Sequence, residues 1–364
     1  MSMLTYLDYL AAHKLPTIWC PGCGNGIVLK AILKAFADLG LDKRKTVAVS
    51  GIGCWGWADD YIDANAFHGT HGRALAFATG IKLANPELTV IVLMGDGDGA
   101  TIGGNHLIHA ARRNVDLTAV VVNNFNYGMT GGQYSGTTPA GSKTSTSPLG
   151  HAEDPFDLCA LAAAAGAPYV ARGSVRDGAA LRRLIRNGLS RRGFSFIEAL
   201  SICPTHYGRR NDARTPFELY QKLGDMTLPL EKSASVSEEE RHGKLLLGTF
   251  ADKAPDDWTA RYKQATKREI FPVCVDRLGR HDSGRTQQAT KREASPVCPA
   301  DACRRLRAVD RSCPRSEAEG IVRHDSGRTQ QATKREASPV CPADACRRLR
   351  AVDREQATRK GERS

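Results

Sequence analysis

The sequence predicts an α/β protein, a mostly parallel sheet flanked by helices, on three observations. Three short, nearly continuous apolar runs rich in Val and Ile, TVAVSGIG (46–53), LTVIVLM (88–94) and LTAVVVN (117–123), have the composition of strands covered on both faces. Segments of helical length lie between strand-like runs. Glycine- and asparagine-rich pieces follow two of the runs directly, at the strand ends where open α/β sheets bind ligands.

In chain order, Ile27–Leu39 reads as the first helix. Val28, Ile32 and Phe36 share one face, Lys30 and Lys34 stand off it, and Gly40 supplies the stop. The runs 46–53 and 88–94 follow, then a Gly- and His-containing segment of helical length, Thr101–Asn114, and the run 117–123. A further unit comprises a helix over Phe156–Gly166, a short strand over Pro168–Ala171, a helix over Asp177–Arg192 and a strand over Phe194–Leu200.

The chain has 364 residues, 41% hydrophobic and 25% charged, enough to bury a large core. No run of 18 apolar residues occurs, so no membrane span is expected. The start, MSMLTYLDYLAAHKLP, lacks the basic, apolar and small-residue regions of a secretory signal, and a cytoplasmic protein is the expectation. The net charge of +12 is unevenly spread: residues 1–230 hold 22 Lys+Arg against 18 Asp+Glu, and residues 231–364 hold 29 against 21. Basicity is mostly a property of the C-terminal part and does not predict nucleic-acid binding. In that part HDSGRTQQATKREASPVCPADACRRLRAVDR occurs at 281–311 and again, letter for letter, at 324–354, with a partial copy from Gln264. Identical polar copies without a periodic apolar core do not make a repeat fold. The expected organisation is a folded domain over 1–262 and a disordered basic tail over 263–364.

Chemistry concentrates in two patterns. Gly95-Asp96-Gly97-Asp98-Gly99 and Asn123-Asn124-Phe125-Asn126-Tyr127-Gly128 each sit just past an apolar strand. Glycines let backbone approach a phosphate closely. Asp96 offers a carboxylate oxygen, Asn124 an amide oxygen and Asn126 a backbone carbonyl, a hard-oxygen set that suits Mg²⁺ shared with a diphosphate. The second pattern is cysteine: Cys20-Pro-Gly-Cys23 before the first helix, Cys54 after the first strand run, and Cys203 after the strand ending at Leu200. Four thiolates from three segments suit a tetrahedral zinc or a [4Fe–4S] cluster. Cys159, inside the run LCALAAAAG, reads as a buried core thiol. His106 and His109 read as packing or surface residues, because the motif already supplies oxygen ligands.

The paired motifs resemble the diphosphate signature of thiamine-diphosphate enzymes. That resemblance implies the thiamine-diphosphate-binding fold of the diphosphate-binding type, with Asp96, Asn124 and the Asn126 carbonyl on Mg²⁺. It places Gly97, Asp98, Gly128, Met129 and Thr130 against the cofactor. Together with CPGCG, GIGC, HGTHGRALAFATGIKLANPELTVIVLMGDGDG, NNFNYGMTGGQ and SICPTH, the chain over about residues 15–262 resembles the β subunit of 2-oxoacid:ferredoxin oxidoreductases, most closely the 2-oxoglutarate branch. The resemblance implies that Cys20, Cys23, Cys54 and Cys203 hold one [4Fe–4S] cluster, with Ile52, Gly53, Cys54 and Trp55 beside the cofactor. His71 and Arg73, with His68 nearby, become candidates for contacts to cofactor or oxoacid. It further implies coenzyme A-dependent oxidative decarboxylation of a 2-oxoacid with ferredoxin as acceptor, and an α subunit as obligate partner.

Family members often carry a small residue after the third cysteine, whereas Trp55 stands here with Trp57 nearby. These aromatics shape the cluster's apolar shell, narrow the substrate pocket, or serve as ordinary core. Two other classes fit parts of the pattern: a non-redox thiamine-diphosphate decarboxylase or synthase, and a zinc-bearing structural or nucleic-acid-binding protein.

Overall fold

Residues 4–267 are described in the computed structural model, and the expected tail lies outside the described residues from 268 onward. Helix α1 (Asn25–Leu39) leads into β1 (Thr46–Ser50), and the short edge strand β2 (Asn65–His68) follows. Next come α2 (Ala74–Ala84), β3 (Thr89–Gly95), α3 (Gly104–Arg113) and β4 (Thr118–Asn123). The second half holds α4 (Leu158–Ala164), β5 (Tyr169–Ser174), α5 (Gly178–Ser190) and β6 (Ser195–Leu200). The chain then runs through α6 (Pro216–Asp225), β7 (Thr227–Pro229), α7 (Glu238–Arg241), β8 (Leu245–Asp252) and α8 (Trp258–Thr266). Helix α8 crosses the expected boundary at 262/263, started by the Asp257 carboxylate accepting the Ala260 N–H.

The strands form one eight-stranded sheet in the order β2-β1-β3-β4-β6-β5-β8-β7. All neighbours are parallel except β5 and β8, which run antiparallel. The apolar runs are strands because both sheet faces are covered. In β3, Ile91 and Leu93 face a layer that includes Val28, Ile32 and Phe36 of α1 and Leu181 and Ile185 of α5. Val90, Val92 and Met94 face the opposite layer, with Leu75 of α2, Leu107 of α3 and Leu158 of α4. Each such side chain contributes roughly 1.5–3 kcal/mol of burial. Gly40 ends α1 at φ 56°, with its N–H on the Phe36 and Ala37 carbonyls, a left-handed cap that a Cβ disfavours.

This architecture sets four neighbouring strands, β1, β3, β4 and β6, with their C-terminal ends side by side. Each of those ends feeds a segment singled out by sequence: Gly51–Cys54, Asp96–Gly99, Asn124–Gly128 and Ser201–Cys203. The Cys20–Cys23 turn precedes α1, which packs on the β-sheet face bearing Ile91.

Candidate active site

Three loops line one cavity: Ile52–Trp55 after β1, Gly95–Asp98 at the end of β3, and Asn124 with Asn126–Thr130 after β4. His71 joins them from the loop before α2. All nine expected cofactor contacts and all three expected Mg²⁺ ligands are thereby brought together. Asp96 opens a wide π turn over Gly97–Ile102, a distortion that often marks functional sites. Its carboxylate is fully buried. Oδ2 accepts the hydroxyls of Ser135 and, at 2.8 Å, Thr137. Burial nonetheless pushes its pKa up to about 6. The Asn126 N–H turns back to Asn124 Oδ1 at 3.4 Å, and Asn126 Oδ1 is buried with no hydrogen-bond partner among the described residues. A buried carboxylate held at such a cost is one that a hard cation satisfies, while the orphaned Asn126 Oδ1 lies on the side of the Cys54 and Cys203 thiols.

The glycine between the two acids is required by close approach. A Cβ at Gly97 would stand 2.3 Å from the Tyr127 ring, whose hydroxyl donates to the Gly97 carbonyl at 3.1 Å. Asp98 lines the cavity with one carboxylate oxygen tied and the other, Oδ2, buried with no hydrogen-bond partner among the described residues. Oδ1 accepts the Gly72 N–H and His71 Nδ1, both at 2.6 Å, while burial raises its pKa. Because a carboxylate only accepts, His71 carries its proton on Nδ1 and keeps Nε2 as its unengaged ring nitrogen. The ring stands edge-on to Tyr127. Arg73 is exposed at the N-cap of α2 with its guanidinium on the Gly72 carbonyl, outside the cavity lining. His68 is likewise set aside, bonded to Ser50 at 2.9 Å and beside Asp59.

A second cavity, of about 160 Å³, is lined by Cys20, Cys23, Cys54 and Cys203 together with Ile18, Trp19 and His206. It shares Cys54, Asn124, Gly128 and Met129 with the first. Gly128 is the thin wall between them: a Cβ there would lie 3.5 Å from Cys54 Sγ, Cys203 Sγ and Asn126 Oδ1 alike. Burial, then the neighbouring thiols, pushes Cys23 up to about 12 and Cys54 up to about 11. Thiols so placed ionise when a cation sits among them. Among the described residues, the ligand atoms that gather within 4.8 Å of one another belong to Asp157, Cys159 and Glu198, not to these four thiols. The Arg172 guanidinium already supplies the positive charge in that acidic group.

Cys159 is fully buried, and His109 is exposed on α3. Trp55 is buried, stacked on Trp19, which donates its indole N–H to the Cys54 carbonyl at 2.6 Å. Trp57 is half-exposed near His68. Sequence reasoning missed Trp19, Tyr127, His206 and the Ser135/Thr137 pair. Trp19 and His206 sit next to or near motif cysteines, a proximity signal; Ser135 and Thr137 had none.

Residues 51–199 match the family model described as thiamine pyrophosphate enzyme, C-terminal TPP binding domain. The chain is 51% identical over 247 residues to the 2-oxoglutarate synthase subunit KorB of Methanothermobacter marburgensis, covering 68% of this chain and 87% of that one. It is 58% identical over 201 residues to the KorB subunit of Archaeoglobus fulgidus, covering 55% and 75%. A solved structure of 2-oxoglutarate:ferredoxin oxidoreductase from Magnetococcus marinus, with 2-oxoglutarate, coenzyme A and succinyl-CoA bound, superposes with a TM-score of 0.66. It is 31% identical and covers 76% of this chain and 95% of that one.

Proposed function

The chain belongs to the family of 2-oxoglutarate synthase KorB and 2-oxoacid:ferredoxin oxidoreductase β subunits, and from that premise we propose how it works. It is the β subunit of a thiamine-diphosphate-dependent enzyme that oxidatively decarboxylates a 2-oxoacid, 2-oxoglutarate, with coenzyme A as acyl acceptor. Cys20, Cys23, Cys54 and Cys203 would hold a [4Fe–4S] cluster, which would supply the route for electrons to ferredoxin. Asp96, Asn124 and the Asn126 carbonyl hold the Mg²⁺ that anchors the diphosphate. The region 1–262 carries both sites.

One observation carries this reading: the oxygen-ligand cavity and the four-thiol cavity share the Cys54–Asn124–Gly128–Met129 wall. A tetrahedral zinc with bonds of 2.3 Å draws its sulfurs to within about 4 Å of one another. A [4Fe–4S] cluster takes one thiolate per iron, the four that line this cavity, and beside a cofactor that generates electrons redox-inert zinc would serve no purpose. Thiamine diphosphate, when bound, supplies the electron sink that decarboxylation needs. The chain's own residues supply the rest. Asp96 and Asn124 offer oxygens to the cation, and Asp98 fixes the tautomer of His71. Nε2 of His71 is then the atom that accepts or returns a proton at the cavity. Trp19, stacked on Trp55, holds the Cys54 backbone through its indole N–H. Because β1, β3, β4 and β6 belong to one sheet, electron transfer across the shared wall needs no large motion.

Ile52 and Met129 are apolar, line the cavity and are exposed, which fits a mouth covered by a partner α subunit. That partner supplies the carboxylate that activates the cofactor's aminopyrimidine. Thiolates that hold a cluster suit a reducing compartment, which supports a cytoplasmic enzyme. Among the described residues, no helix is long and apolar enough to cross a membrane. Anaerobic co-expression with the partner subunit tests the reading: about four irons with matching sulfide and thiamine diphosphate are expected per chain. Zinc in place of iron, or oxoacid-dependent dye reduction by this chain alone, overturns it.

A further inference from the structure

The middle of the sheet holds a buried ion pair that strand packing alone does not call for. Glu198 in β6 and Arg172 in β5 are register partners, both almost fully buried, joined from Nε to Oε2 at 2.7 Å. Arg172 also reaches Asp157 at the N-cap of α4, and Cys159 Sγ donates to the same Glu198 oxygen. A buried pair is often no more stabilising than apolar residues of similar volume, so its presence asks for another role. Glu198 Oε1 accepts Nδ2 of Asn123, the last residue of β4, at 2.8 Å. An ionised carboxylate only accepts, so it fixes the Asn123 amide with Nδ2 toward the pair and Oδ1 away from it. That Oδ1 accepts the Phe125 N–H at 3.1 Å and the Thr137 hydroxyl at 3.0 Å. The same hydroxyl lies 2.8 Å from Asp96 Oδ2, a three-centre arrangement, and Ser135 donates to that oxygen as well.

We propose that Glu198 and Arg172 are positioning residues for Asp96, acting through Asn123 and Thr137. The inference rests on Asp96 being the cation ligand proposed above. With Oδ2 tied by two hydroxyls, the carboxylate keeps one rotamer and leaves Oδ1 for the cavity that Asp96 lines. A reversed Asn123 amide would set Nδ2 against the Phe125 N–H and turn the Thr137 hydroxyl from donor to acceptor at Asn123, so the loop that carries Asn124 and the hydroxyl beside Asp96 would both lose their present partners.

The test uses the full chain assembled with its partner subunit and stripped of metal and cofactor. Mn²⁺ is the probe, counted by electron paramagnetic resonance in the presence of thiamine diphosphate, with melting curves run in parallel. Thr137→Val weakens Mn²⁺ binding by roughly ten- to hundredfold, the loss of a hydrogen bond to a charged acceptor, and Thr137→Ser restores it. Glu198→Gln weakens it too, and the double variant Thr137→Val/Glu198→Gln is no worse than the weaker single, because both act on one oxygen. Wild-type Mn²⁺ affinity in Thr137→Val overturns the proposal, whether or not Glu198→Gln folds. So does a Glu198→Gln variant that melts lower yet binds Mn²⁺ normally, or a double variant whose losses add. A wild-type complex that takes up no Mn²⁺ with thiamine diphosphate overturns the reading of the site itself. Wild-type uptake with unaffected variants overturns only the positioning role.

Discussion

Replacing Asp96 with Asn should stabilise the metal-free protein at neutral pH. The buried carboxyl titrates at about 6 where an ordinary one titrates at 3.8, so ionising it costs the folded state on the order of 3 kcal/mol at pH 7. The sign follows from proton counting. Between the ordinary carboxylate range and about pH 6, the folded chain holds a proton that the unfolded chain has released. The contribution of Asp96 to stability is therefore greatest in acid and is lost as the pH rises through about 6. In Asp96→Asn the amide oxygen keeps the hydroxyls of Ser135 and Thr137. The Asn124 backbone N–H, which also helps hold the carboxylate, loses its charged acceptor, a loss of about 1 kcal/mol. The net gain is about 2 kcal/mol, or roughly 3–4 °C in Tm for a folded unit of about 260 residues. Thermal unfolding of chelator-treated protein, followed by circular dichroism at pH 7 and pH 4, measures it. The gain is expected at pH 7 and absent at pH 4. A variant that melts no higher than wild type at pH 7, or keeps its advantage in acid, refutes the argument that Asp96 is a carboxylate held at a cost for a cation.

Three further outcomes are expected. Gly97→Ala places a methyl 2.3 Å from the Tyr127 ring; overpacking of about 1–3 kcal/mol lowers thiamine-diphosphate affinity roughly tenfold by calorimetry, and an unchanged Kd removes Gly97 from the cofactor cradle. In the assembled enzyme, His71→Gln lowers kcat roughly hundredfold or more while cofactor Kd stays within a few-fold, and an equal loss of binding denies His71 its proton role. Cys54→Ser strips the chain of iron and sulfide under anaerobic purification while Cys159→Ser keeps both. Iron retained in the first or lost in the second breaks the assignment of thiols to the shared wall.

The strands were legible because a parallel sheet covered on both faces leaves its composition in the sequence. The runs at 46–53, 88–94 and 117–123 became β1, β3 and β4 with shifts only at their ends. Val28, Ile32 and Phe36 face the core because a 3.6-residue period admits one apolar stripe on a covered helix. The edge strand β2 was not legible: Asn65–His68 is short, only partly buried, and fixed by pairing with β1 rather than by an apolar run of its own. Strand β8 escaped for the opposite reason. Leu245–Asp252 is long, but it lies partly exposed on the antiparallel side of the sheet and leaves no two-face signature.

The site divides along the same line. Its backbone half could be read, since a glycine beside an acid after a strand, or a cysteine pair in a turn, is local in sequence. Its side-chain half could not. Asp98 and His71 are 27 residues apart, Thr137 and Asp96 are 41 apart, and Asn123 and Glu198 are 75 apart. Such pairs exist only once strand order brings β4 beside β6 and folds the segment after β4 back over β3. That is why the bond from His71 to Asp98, a residue read from its motif as a cofactor contact and found in the cavity lining, could not be read from the sequence. The loop ligands at the strand ends are local chemistry, and what fixes their orientation is set by topology. A cation ligand such as Asp96 can then be buried and still present one geometry, because the sheet beneath it supplies the donors that a flexible loop lacks.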